Sequence, residues 1–183
     1  MKLVFKTALA AVALTASVGG IAYAKNPMVG GAAMYPTKNI VENAVNSKDH
    51  TTLVAAVKAA GLVETLSGPG PFTVFAPTNA AFAKLPAGTV DTLVLPENKA
   101  TLTSILTYHV VPGRITAQDI AKKAKANRGT ATYATVNGGN LTFSKAGMGW
   151  KVTDAKGGSA RITIANVMQS NGVIHVVDTV LMP

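Results

Sequence analysis

The sequence has no cysteine in 183 residues. That excludes disulfides, thiolate metal sites and thiol nucleophiles. Stability must come from packing, and a composition that is 48% hydrophobic can supply it. Aromatic residues are scarce at 5%, with a single tryptophan, and they do not interleave with the basic residues. The lysines are dispersed, the densest cluster being Lys122, Lys123, Lys125 and Arg128. A nucleic-acid footprint needs a focused patch, so no nucleic-acid partner is expected. Acidic residues number eight and stand singly along the chain. No pair has the look of glycosidase carboxylates.

Other chemistry is missing too. The three histidines, His50, His109 and His175, show no H-x-H or H-x-x-x-H spacing, so no metal site is expected. No G-x-S-x-G elbow occurs, and the Gly-rich segments sit in hairpin turns, which gives no phosphate loop. The expectation is a non-catalytic protein without a cofactor. After residue 24 no stretch is apolar enough to span a bilayer.

What is present begins with a leader. Lys2 and Lys6 precede an apolar run over Ala8–Ile21, and Ala22-Tyr23-Ala24 forms an A-x-A site. This predicts a secretory signal peptide over residues 1–24, exported to the periplasm or outside the cell. The rival reading is an uncleaved anchor, but a span needs about 20 apolar residues. Loss of Lys2 and Lys6 lowers the net charge from +9 to +7, which favours an anionic partner.

Residues 25–37 are rich in Gly, Pro and Met and are expected to form a flexible arm, with Met28, Met34 and Tyr35 as apolar handles. Residues 38–183 suit one domain. Asn39 and Glu42 form a capping box before a short helix. Asp49 or Thr51 is expected to cap the next helix, with Leu53, Val54, Val57 and Leu62 buried, His50 exposed and Gly61 as the stop. Phe72–Phe75 reads as a buried strand, stopped by Ala76-Pro77-Thr78, after which Asn79 caps a helix that returns Phe82 to the core. Leu102, Ile105 and Leu106 mark a helix ending near Tyr108-His109, and Val110–Gly113 turns the chain. Thr116 caps Ala117–Lys125.

From Gly129 the hydrophobic period changes to two. Strands are predicted at Ala131–Val136, Leu141–Ser144, Trp150–Thr153, Ala160–Met168 and Val173–Leu181, separated by turn clusters. Helices followed by strands indicate an α+β fold, with the Phe72 strand joining the late sheet. Tyr108-His109 is the pair that could act as a binding edge or as a purely structural contact.

Three stretches, FTVFAPTNAAF (72–82), LTYHVVPG (106–113) and NGVIHVVDTVLMP (171–183), resemble in order and spacing the boxes of fasciclin domains, and the whole resembles small bacterial single-domain secreted members. The resemblance implies a wedge of two β-sheets packed against a layer of helices from the N-terminal half. It implies a monomer acting in cell adhesion or in binding an extracellular protein or polysaccharide. The alternative is an envelope stress or structural protein without a dedicated ligand, and a small-molecule carrier or enzyme is a third reading. Phe72, Phe75, Pro77, Thr78, Asn79, Phe82, Gly172, His175 and Asp178 then become structural motif residues, with Tyr108 and His109 the binding candidates. In animal relatives an Asp-Ile pair before the last box is implicated in integrin recognition. Here that position resembles Asn166-Val167, without the acid, which argues against integrin-type recognition.

Overall fold

The computed structural model describes residues 26–183. The leader expected over residues 1–24 lies outside the described residues.

The chain enters through a hairpin, β1 (Met28–Val29) and β2 (Ala32–Ala33), instead of a loose arm. Gly30 and Gly31 both take positive φ, which lets two residues turn the chain. Val29 and Met34 are buried in the core, and the Tyr35 amide donates to Asn43 Oδ1 at 3.0 Å. Of the three expected handles only Met34 packs inside; Met28 and Tyr35 are exposed.

Three helices follow: α1 (Ile40–Ala44), α2 (Thr51–Ala60) and α3 (Val63–Ser67). Asn39 and Glu42 complete the capping box of α1, and Gly61 ends α2 with a left-handed φ of 73°. Neither Asp49 nor Thr51 caps α2. A 3-10 turn over Lys48–His50 runs straight into it, and the cap comes from a distant residue. Asn79 Oδ1 accepts from the Thr52 amide at 3.0 Å. Asn79 is therefore not the cap of its own helix, α4 (Asn79–Ala83). Thr78 does that, its hydroxyl accepting from the Ala81 amide. The 3-10 turn also carries His50 inward, so it is 3% exposed against the expectation of an exposed ring. The buried stripe of α2 is Leu53, Ala56, Val57 and Ala60, with Val54 and Leu62 only half-buried.

The strand β3 (Phe72–Pro77) separates α3 from α4, and α5 (Thr89–Leu93) and α6 (Lys99–Tyr108) complete the helical half. Val110–Pro112 extends the sheet as edge strand β4, antiparallel to β3, and does not simply turn the chain. Pro112, which cannot donate, is tolerated at that edge. Thr116 and Asp119 form a capping box for α7 (Ala117–Ala126).

The late strands are β5 (Thr130–Ala134), β6 (Asn140–Ala146), β7 (Gly149–Thr153), β8 (Ser159–Gln169) and β9 (Gly172–Val177). Two expected strands end early, at Ala134 and Val177; residues 178–183 carry no strand. The seven-stranded order is β4-β3-β9-β8-β7-β6-β5, with β3 parallel to β9 from Phe72↔Gly172 to Pro77↔Val177. That is the non-local partnership expected for the Phe72 strand. The long β8 belongs to both halves. Its start pairs with β7, the rest pairs with β9, and register shifts between Ile162 and Val167 bend it. The bend makes the wedge, and the Val136 amide donating to the Val110 carbonyl at 2.8 Å draws the far ends together.

Because strand side chains alternate, β3 and β9 separate two layers of core. Val74, Ala76, Ile174 and Val176 face the helices, with Leu53, Leu102 and Leu106. Phe75 and Val177 face the meander, with Tyr108, Phe143, Trp150 and Val152. Phe82 packs in the helical layer and Phe72 at its margin.

Candidate functional site

The last turn of α6 presents Tyr108 and His109, both in the interior at 0% and 2% exposure. The Tyr108 hydroxyl donates to the Asn140 carbonyl at 2.8 Å and accepts from the Ala155 amide at 2.9 Å. Burial raises its pKa. A β-carbon on Gly139 would stand 2.6 Å from the ring, so glycine is needed for this close approach. His109 Nδ1 donates to the Ile105 carbonyl at 2.9 Å, and Nε2 accepts from the Leu181 amide at 3.0 Å. That pattern fixes one neutral tautomer. Burial lowers the His109 pKa to about 4, against opposing pulls from the Ile105 carbonyl and Asp154. The pair thus ties α6 to two meander turns and to the C-terminus. Neither side chain is available to a partner while the fold is intact, and no exposed patch joins Tyr108 to Lys122–Arg128.

The other motif residues are also bonded inside the chain. His175 stacks on Phe75 with centroids 5.4 Å apart, donates from Nε2 to the Ile115 carbonyl at 2.8 Å and accepts the Asn166 amide at Nδ1. Burial lowers its pKa. Asp178 accepts from the Arg161 amide at 2.8 Å and lies 3.8 Å from Lys84 Nζ. Gly172 lets two strands meet: a β-carbon there would lie 2.0 Å from the Phe72 carbonyl oxygen. Asn166, in the bend of β8 with φ 59°, accepts the Ala117 amide at 2.8 Å, and Val167 is buried. Asn166-Val167 is therefore a structural joint between β8 and α7.

The surface offers a different arrangement, on the outer side of β5–β8. Register places Thr132, Thr142, Thr153 and Ser159 in one row across the strands, and Thr130, Ser144, Lys151 and Arg161 in the next. Their sequence neighbours Ala131, Leu141, Phe143, Val152 and Ala160 are buried on the inner side. The outer side chains are exposed or half-buried, and β5–β8 contain no Asp or Glu. Strands lie about 4.8 Å apart, so each row runs about 14 Å. Beyond the Lys151↔Arg161 pair, β7 and β8 part around an open cleft of about 380 Å³ that Arg161, Trp150 and Thr163 line. Lys145 Nζ sits 4.8 Å above the Trp150 ring. Clustering of charge along the sequence could not reveal this face. Lys151 and Arg161 are ten positions apart, and counting register back from the turn at residues 154–158 is the signal that pairs them.

Helices layered on a bent sheet, with an early strand running parallel to the last one, make this a fasciclin-type domain. A family model for the fasciclin domain matches residues 48–183, and the chain belongs to that family. It is 51% identical to protein sll1483 of Synechocystis over 161 residues, covering 87% of this chain and 81% of that one. It is 39% identical to the immunogenic protein MPB70 of Mycobacterium bovis over 145 residues, 76% of this chain and 66% of that protein. It is 35% identical to the cell surface glycolipoprotein MPB83 of the same species over 167 residues, 91% of this chain and 64% of that protein. The FAS1 domain pair of the insect cell adhesion molecule Fasciclin I superposes with a TM-score of 0.70 at 17% identity, over 80% of this chain and 51% of that one. That likeness shows the shared fold.

Proposed function

We propose that this protein is exported and acts without catalysis as a binding module at the cell envelope or outside the cell, holding an anionic extracellular polysaccharide on the outer face of β5–β8. The observation that carries this is the pair of hydroxyl rows bearing Lys151 and Arg161 on strands free of carboxylates. Hydroxyls can meet sugar hydroxyls, and the cations can meet carboxylate or sulfate groups. The two rows carry no apolar side chain for a lipid surface and no aromatic ring for stacked bases. The name of the relative MPB83 and the leader at residues 1–24 support a place outside the cytoplasm.

The test is retention of the purified protein on immobilised alginate and on heparin, eluted by salt. Lys151→Glu with Arg161→Glu should elute at clearly lower salt than the parent, because interactions of exposed charges are screened. Tyr108→Phe, if folded, should elute with the parent. Elution of the double variant at the parent's position would overturn the assignment of this face. No retention of the parent on either polymer would favour an envelope protein without a dedicated ligand.

A further inference from the structure

The helical layer is divided. α1 packs on α3 and α2 packs on α6, and β3 floors the seam between the two pairs. The seam holds an open slot of about 40 Å³, walled by Val41 and Ala44 of α1 and by Val54 and Val57 of α2. A second apolar cavity of about 30 Å³ shares Ile40, Ala44, Leu53 and Val74 with it and reaches Ser47 and His50. Empty cavities lined by apolar side chains stay dry. Among the described residues lining the slot, Lys58 is the one with a formal charge, and it makes no ion pair. It is exposed at the rim on α2.

We propose that this seam is a binding site for a single-chain anionic amphiphile, a fatty acid carboxylate. The alkyl chain enters between α1 and α2, and the carboxylate stays at the rim against Lys58. This keeps the charge hydrated and the chain dry, the arrangement that desolvation favours. Charge sets the class of ligand: a cation at the mouth of an apolar path selects against cationic amphiphiles and gives neutral ones no head contact. The inner end is closed by the polar Ser47–His50 pair, whose Nδ1 to Oγ distance is 2.8 Å. That closure limits chain length. The slot of about 40 Å³ is narrower than an alkyl chain, so binding requires α1 and α2 to move apart.

The experiment is a fluorescence titration with 11-(dansylamino)undecanoate, followed by displacement with octanoate, laurate, 1-dodecanol and dodecyltrimethylammonium. We expect saturable 1:1 binding, with laurate about fourfold tighter per buried methylene than octanoate and the ammonium weakest. Lys58→Glu, on an exposed side chain that leaves the core intact, should weaken laurate at least tenfold and dodecanol little. Ala44→Phe should abolish binding by filling the slot, provided its melt shows a folded protein. Lys151→Glu with Arg161→Glu should leave laurate binding unchanged, which separates this site from the sheet face. Non-saturable probe binding, or laurate affinity indifferent to Lys58→Glu, would overturn the proposal.

Discussion

The two layers of core on either side of β3 and β9 are built differently. The meander layer is aromatic: Phe75 meets Phe143 at 5.2 Å, and Tyr133 meets Phe143 edge-on at 5.7 Å. Its polar groups are matched, as the two hydrogen bonds of the Tyr108 hydroxyl show. The helical layer is mostly aliphatic and borders both apolar cavities, one of which reaches Phe75, and its buried His50 Nε2 makes no hydrogen bond of good geometry. Rigid rings in edge and tilted contacts define one arrangement. Short helices meeting in pairs leave gaps. The difference teaches that one strand can anchor a locked layer on one face and an accommodating one on the other.

The largest test of that contrast is Phe75→Ala. The ring is 1% exposed and touches both Phe143 and His175, so its removal should cost about 3–5 kcal/mol. Urea unfolding measures it. Leu53→Ala, in a layer whose short helices can close over the gap, should fall nearer the low end of the 2–5 kcal/mol range for such truncations. Equal losses would erase the distinction between layers.

Acid should attack the structure next. His109 is neutral in the fold and its pKa is lowered to about 4, while the unfolded chain takes up a proton near the ordinary value of about 6.5. The unfolded state therefore binds more protons across that window, and stability falls as pH drops through it. His109 alone should remove on the order of 3 kcal/mol between pH 7 and pH 4. His50 and His175 are lowered too and act in the same direction. Melting temperature against pH checks this, with His109→Gln expected to flatten the slope. An unchanged slope in that variant would remove His109 from the account.

Tyr108→Phe should cost less, about 1–3 kcal/mol, by leaving the Ala155 amide and the Asn140 carbonyl without their partner. A variant as stable as the parent in thermal melts would show that water replaces the hydroxyl.

Much of the fold was legible in the sequence because local signals and the global arrangement agree there. The Asn39–Glu42 and Thr116 caps, the stop at Gly61 and the change to period two after Gly129 all follow from backbone chemistry within a few residues. The misreadings concern interactions over distance. Asn79 caps α2 across 27 positions, and nothing local distinguishes that from capping its own helix. His50 looked exposed because a 3-10 turn has too short a period to reveal which side faces inward. The binding candidates were read from residue type. Tyr and His do mark a special place, but the hydrogen bonds of Tyr108 and His109 point into the fold. Lys151 and Arg161 carried no mark until register set them side by side.

The smallest prediction is the sharpest, because it turns on sign. Val57 lines the 40 Å³ slot on the helical side. Val152 is fully buried on the meander side and lines neither apolar cavity. Val57→Ile adds one methyl group where space exists, and should stabilise by about 0.5–1 kcal/mol, the ordinary gain of filling a cavity. Val152→Ile adds the same group to a filled layer and should destabilise by about 1–3 kcal/mol. Both residues are β-branched before and after the change, so side-chain stiffness is constant and packing alone decides. Paired urea titrations at one pH read both signs. If Val57→Ile also destabilises, the helical layer is as tightly packed as the meander layer, and a seam that yields to an alkyl chain loses its physical basis.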